Sequence, residues 1–240
     1  MRIDASNIDF QTLNQTIRAT DDKDIIIDNC IGQRFIGSGL SDRNIEINGV
    51  PGNALGCYLD NSLIRVNGNS QDATGDTMNN GRIYIHGSAG DATGYGMRGG
   101  KIMIYGNTGY RAGIHMKAYQ DNIAVLIIGG VAGSFLGEYQ AGGTIVVLNL
   151  HETNLPIAGN FCATGIHGGK IFLRSDELNL KLPKQVIVKK ATSDDLEEIS
   201  AHIDEFCAEF NIDKDSIMNH TFYVLTPNTK NPYKQLYNYN

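Results

Sequence analysis

Asp72 and Asp91 stand 19 residues apart, with Asn53 one step before them and Tyr110 one step after. Carboxylates brought to one face in this way can bind calcium or supply general acid and base catalysis on a sugar. The plainer reading is that Asp and Asn occupy solvated corners, where their side chains satisfy turn backbone. The chain has no tryptophan to serve as a sugar platform, and it lacks the calcium-binding nonapeptide repeat. The six histidines, His86, His115, His151, His167, His202 and His220, fall into no metalloprotease-like spacing; only His115 and His167 sit on corners that look adjacent. The four cysteines, Cys30, Cys57, Cys162 and Cys207, are far apart and include no C-x-x-C pair. That spacing argues against zinc, an iron–sulfur cluster or a disulfide framework, and small interior cysteines explain them better than nucleophiles. The glycine doublets at 99–100, 129–130, 142–143 and 168–169 open no helix after a strand, so they do not read as phosphate loops.

The elements that would position these residues repeat. Ile45, Ile64, Ile83 and Ile102 each lead a β-branched or apolar triplet, 19 residues apart. Gly37, Gly56, Gly75, Gly94 and Gly113 keep the same step, and Gly137 continues the column after an insertion of five residues around Lys117 to Asn122. Leu40, Leu59, Met78, Met97 and Met116 form an apolar column three residues beyond each glycine. The triplet column resumes at Leu126 and Ile145, then at Ile171 after a further insertion of seven around His151 to Ile157. A fixed period in this range signals stacked repeats.

Nineteen residues with alternating triplets and no helical window are too few for a sandwich strand and its return. They suffice for one coil with three short strands and three corners. Stacking then turns each column into a physical ladder with rungs ~4.8 Å apart. The isoleucine and Leu/Met ladders point inward, and the glycines sit where a corner needs positive φ or the interior is too narrow for a side chain. The predicted fold is all-β: a right-handed parallel β-helix of about seven coils, with a short N-terminal cap and a C-terminal helical appendage. The expected divisions are residues 1–24 for the cap, 25–175 for the helix of coils and 176–240 for a strand, helix and docking tail.

Asp9 to Ala19 carries Phe10, Leu13 and Ile17 at helical spacing, with Ser6 or Asn7 as N-cap, and would cover the first coil. The residues alternating with the inward ladder are Glu46, Arg65, Tyr84, Met103, Ile127, Val146 and Phe172. The early ones offer a Glu46–Arg65 pair. The later four, Met103, Ile127, Val146 and Phe172, form a candidate docking face, because leaving them wet would forfeit several kcal/mol at about 25 cal/mol per Å². One cover is the chain's own helix, with Ser193 as N-cap, acidic residues on the first turn, and Leu196, Ile199, Ile203, Phe206 and Phe210 on one stripe. The other is a partner subunit. Val186 to Val188 reads as one more strand, Asp213 to Asn219 as a second short helix, and Thr221 to Asn240 as an aromatic, proline-broken docking tail.

Twenty basic and 26 acidic residues give a net charge of −6, which leaves no electrostatic footprint for nucleic acid or an anionic membrane. No signal-like opening and no apolar run near 18 residues is present, so a cytoplasmic protein with reduced thiols is expected.

The run Cys30 to Gly37, and the matches Gly87 to Ile104, Gly106 to Met116 and Gly129 to Leu148, resemble the GXGXG β-helix domain at the C-terminus of the glutamate synthase large subunit. A related repeat occurs in a subunit of formylmethanofuran dehydrogenase. The similarity covers about Ile25 to Arg174, and the tail, with Phe222, Pro227 and Pro232-Tyr233 before Leu236-Tyr237, is similar to that of stand-alone forms of the domain. The resemblance implies a non-catalytic scaffold in a split glutamate-synthase-like system of nitrogen metabolism. The partners it implies are a class II glutamine amidotransferase subunit and a synthase subunit carrying FMN and an iron–sulfur cluster. This chain begins Met1-Arg2 without the amidotransferase cysteine, and lacks the clustered cysteines of the synthase domain. No cofactor is therefore expected in this chain, and self-association without partners stays open. The competing reading is an autonomous polysaccharide-binding or polysaccharide-cleaving protein using Asp72 and Asp91.

Overall fold

The computed structural model describes residues 1–119, 122–151 and 154–228. Among the described residues, all eleven strands join one mostly parallel sheet, accompanied by three helices. The parallel run comprises β1 (Arg2–Asp4), β2 (Asp24–Ile31), β3 (Asn44–Val50), β4 (Ser62–Asn67), β5 (Gly81–Ile85), β6 (Lys101–Ile104), β7 (Val125–Ile128), β8 (Ala141–Val147) and β9 (Gly168–Arg174). The helix α1 (Phe10–Ala19) lies between β1 and β2. After β9 come β10 (Val186–Lys190), α2 (Ser193–Phe210), α3 (Asp215–Met218) and β11 (Phe222–Pro227). The spatial order ends β9-β11-β10, with both last pairings antiparallel.

The sequence period is the pairing register. Ile45 pairs with Ile64, Ile64 with Ile83, Ile83 with Ile102, Ile102 with Leu126, Leu126 with Ile145 and Ile145 with Ile171. The stacking continues round the corners through parallel bridges joining Ser70, Ala89, Thr108, Ala132 and Ala158 in turn. Within the first insertion, Tyr119 and Asn122 exchange two backbone hydrogen bonds. The next rung keeps its register, Ile102 pairing with Leu126.

The isoleucine ladder lies in a core enclosed by these turns, with Leu59, Met78, Met97 and Met116 fully buried beside it. Gln140 takes the next place in that Leu/Met column and is fully buried; its amide donates to the Gly142 and Gly143 carbonyls. Leu13 and Ile17 of α1 enter the same core at one end, while Leu225 and the partly buried Leu178, Leu180 and Leu182 close the other.

Three local readings are corrected. Asp9 caps α1, its carboxylate accepting from the Gln11 and Thr12 N–H groups, so neither Ser6 nor Asn7 has that role. Thr192, not Ser193, caps α2 in a capping box with Asp195. Phe222–Pro227, placed in a docking tail on sequence grounds, is instead a strand of the sheet. Pro232, Tyr233, Leu236, Tyr237 and Tyr239 lie outside the described residues. Among the described residues, no helix is long and apolar enough to cross a membrane.

Candidate functional site

The glycine column fixes the shape of every turn. In each, three alternate residues have positive φ: Ala54, Gly56 and Tyr58 in one, Phe135, Gly137 and Tyr139 in another. Gly37, Gly56, Gly75, Gly94, Gly113 and Gly137 all hold the central place. Only that place faces inward. A Cβ on Gly56 would lie 2.6 Å from Cδ1 of Ile83, on the following rung, and one on Gly137 would lie 2.7 Å from Cδ1 of Ile171. The flanking positions point outward and accept side chains at the modest cost of a left-handed conformation, about 1 kcal/mol. Tyr58, Tyr139 and Phe161 are accordingly exposed. After the last rung there is no further isoleucine to avoid, and Ala163, at positive φ and fully buried, takes the glycine place.

Met103, Ile127, Val146 and Phe172 are completely buried, in a second core with Ile199, Ile203 and Phe206 of α2. The cover is supplied within the chain, so these four are not available as a docking face for another subunit. Ion pairs border the apolar contact. Arg65 donates to both carboxylate oxygens of Glu209, while Arg82, Lys101 and the Tyr84 hydroxyl all donate to Glu205. Glu46 instead accepts from Asn67, so the anticipated Glu46–Arg65 pair is replaced by Arg65–Glu209. Burial disfavours the Glu205 carboxylate, but the hydrogen bonds from Lys101, Tyr84 and Arg82 outweigh it and hold its pKa down at about 2. Burial and the Glu205 hydrogen bond push the Tyr84 phenol up.

The groups singled out for chemistry are engaged in structure. Asp72 accepts the Asp91 N–H at 2.9 Å, and Asp91 accepts the Tyr110 N–H at 2.8 Å. Asn69 and Asn107 do the same for the N–H groups of Ser88 and Val131. Each carboxylate is therefore a corner clamp on the next rung. All four thiols are buried. Desolvation lifts Cys30 and Cys57 to about 11 and Cys162 to about 12, which keeps them protonated and poorly nucleophilic. No group of three or more His, Cys, Asp or Glu among the described residues could hold a metal ion.

One constellation that the sequence barely signals does form. His115 and His167 are brought onto one outer face with Tyr139 between them, and Tyr95 precedes His115. Ring centroids are 5.7 Å apart for Tyr95 and His115, 5.3 Å for His115 and Tyr139, and 6.4 Å for Tyr139 and His167. The His115 and Tyr139 rings are nearly parallel, at 11°. Arg98 and Lys117 line the same shallow groove of about 400 Å³. The 24 residues from His115 to Tyr139 are the repeat with its five-residue insertion, both rings standing two places after the column glycine; the steps of 20 and 28 depart from it, because Tyr95 and His167 come from neighbouring places.

The family model described as "GXGXG motif" matches residues 7–228. An uncharacterized protein of Methanocaldococcus jannaschii is 43% identical over 248 residues, an alignment that takes in 98% of this chain and 95% of that protein.

Proposed function

The chain belongs to the GXGXG motif family, and from that premise we propose that it is a structural, non-catalytic subunit of a split glutamate-synthase-like amidotransferase. In this reading it holds a class II glutamine amidotransferase subunit and an FMN/iron–sulfur subunit in register for ammonia transfer and reductive amination, in the cytoplasm. The observation that carries it is the family match over residues 7–228. It is supported by the use of Asp72, Asp91 and the four cysteines to hold the fold.

We read the stacked ladders as a right-handed parallel β-helix of about seven coils, the hand following the general rule for parallel crossovers. Residues 1–24, 25–175 and 176–240 are then cap, coils and cover rather than separately folding units, since β1 and β11 belong to the same sheet as the coils. A carbohydrate role for Asp72 and Asp91 gains no support from carboxylates committed to backbone N–H groups.

Co-expression with the amidotransferase and FMN/iron–sulfur subunits of the same organism, followed by size-exclusion chromatography, tests the proposal. The expected result is one coloured complex with glutamine-dependent activity that falls apart when this chain is omitted. Elution of the chain apart from both subunits would overturn it.

A further inference from the structure

We infer that the groove walled by Tyr95, His115, Tyr139 and His167 is where this chain takes an acidic segment of a partner subunit, with Arg98 and Lys117 as its counter-charges. The inference rests on the scaffold reading and adds to it the surface used. The basis is an imbalance of charge. Where α2 lies on the sheet the cations have acids: Arg65 with Glu209, Arg82 and Lys101 with Glu205, Lys170 with Glu198, Lys189 with Asp195. Arg98 and Lys117 are exposed, no carboxylate lines their groove, and neither has an ion-pair partner among the described residues.

The two cations also sit one above the other. The Arg98 N–H donates to Met78 O and the Lys117 N–H to Met97 O, so they hold equivalent places on successive turns, about 4.8 Å apart along the stack. Like charges at that spacing repel when nothing lies between them, and an anion bridging both relieves the repulsion. The wall beside them offers flat rings with a polar edge, which bury area with little side-chain entropy to lose and are enriched at protein interfaces. The groove is open and shallow, a shape suited to an extended segment lying along the ladder. The face already covered by α2 is closed to such a partner, whereas this one is not.

The test uses the whole chain and the two subunits named above, with dissociation constants measured at about 50 mM and about 300 mM salt. R98E/K117E is expected to weaken binding of one subunit by roughly tenfold or more and to remove most of its salt dependence. Y139S should weaken the same subunit without altering the salt dependence, and D194K on α2 should leave binding unchanged. R98Q/K117Q serves if the double reversal melts early. Wild-type binding matched by R98E/K117E would overturn this inference and leave the scaffold reading standing. Failure of the wild type to bind either subunit would overturn both. Self-association of the wild type, abolished by R98E/K117E, would make the occupant a second copy and overturn the assignment to a partner.

Discussion

Gly56 looks across the interior at Ile83, one rung on, and a methyl group placed on it would stand 2.6 Å from the isoleucine Cδ1. Two costs therefore meet at Gly56: a φ of 62° that side chains seldom adopt, and a clash. Gly39 has the same φ of 62° with open space where a Cβ would go. Gly39→Ala is expected to cost about 1 kcal/mol, and Gly56→Ala about 2–4 kcal/mol once overpacking is added. Urea unfolding of the two variants measures the difference. Ile83→Val added to Gly56→Ala should recover part of the second figure and none of the first. Equal losses for the two alanine variants would show that the interior contact is unimportant.

The helix α2 should come loose in acid. The folded pKa of Glu205 lies near 2, below its ordinary value of 4.5. The stability it contributes is fully present above about pH 4.5 and is lost as the pH falls towards 2, by about 3 kcal/mol in all. Glu205→Gln should remove much of that pH dependence and move the acid unfolding midpoint upward. Circular dichroism between pH 2 and 6 checks it, and an unchanged acid limb would count against the Glu205 contacts.

For Asp72 and Asp91 the acceptor oxygen matters and the charge does not. Asp72→Asn and Asp91→Asn keep an oxygen for the next N–H and are expected to stay within about 0.5 kcal/mol of the parent. Asp72→Ala and Asp91→Ala each leave a corner N–H without its acceptor, at about 1 kcal/mol. Thermal melts separate the two sets. Loss of a binding activity in the asparagine pair, with stability intact, would revive a chemical role for the carboxylates.

Thiol titration gives a direct reading of burial. None of the four cysteines should react with an aromatic disulfide reagent in the folded protein within minutes at pH 8, whereas all four should do so in guanidinium. Rapid labelling of any one in the folded state would contradict the buried, protonated thiols described above.

The register of the sheet was legible from isoleucines alone, because parallel stacking turns a sequence interval into a spatial one: Ile64 pairs with Ile83 as the 19-residue step requires. The insertions did not hide it, since the ladder resumes at Leu126 and at Ile171. Short edge elements were harder. Arg2-Ile3-Asp4 offers one apolar residue between two charges, too little pattern to mark β1. Phe222 to Leu225 was obscured by the aromatic, proline-containing stretch that follows it, and its place beside β9 depends on a chain reversal through α2 and α3. The apolar stripe of α2 was plain, but a stripe does not say which surface it meets; the ion pairs of Glu205 and Glu209 join residues more than 100 positions apart. The ring ladder escaped for a geometric reason. Tyr95 stands one place after its glycine, His115 and Tyr139 two places after theirs and His167 four places after Ala163, so a column search keyed to one offset does not gather the four rings.

The reversal of direction after β9 has a consequence for how molecules behave when crowded together. A run of parallel rungs invites another copy to add its own rung and grow a fibre. Here β11 runs against the stack and separates the parallel rungs from β10, the outermost strand, which ends in Lys189 and Lys190. A copy arriving at that edge meets Lys190 and a strand set off from the rungs by the reversed β11, so the isoleucine ladder is not continued across it. At the other edge only three residues of β1 are on offer, and one is Arg2. Neither edge therefore offers a second copy a full rung of the isoleucine ladder to continue.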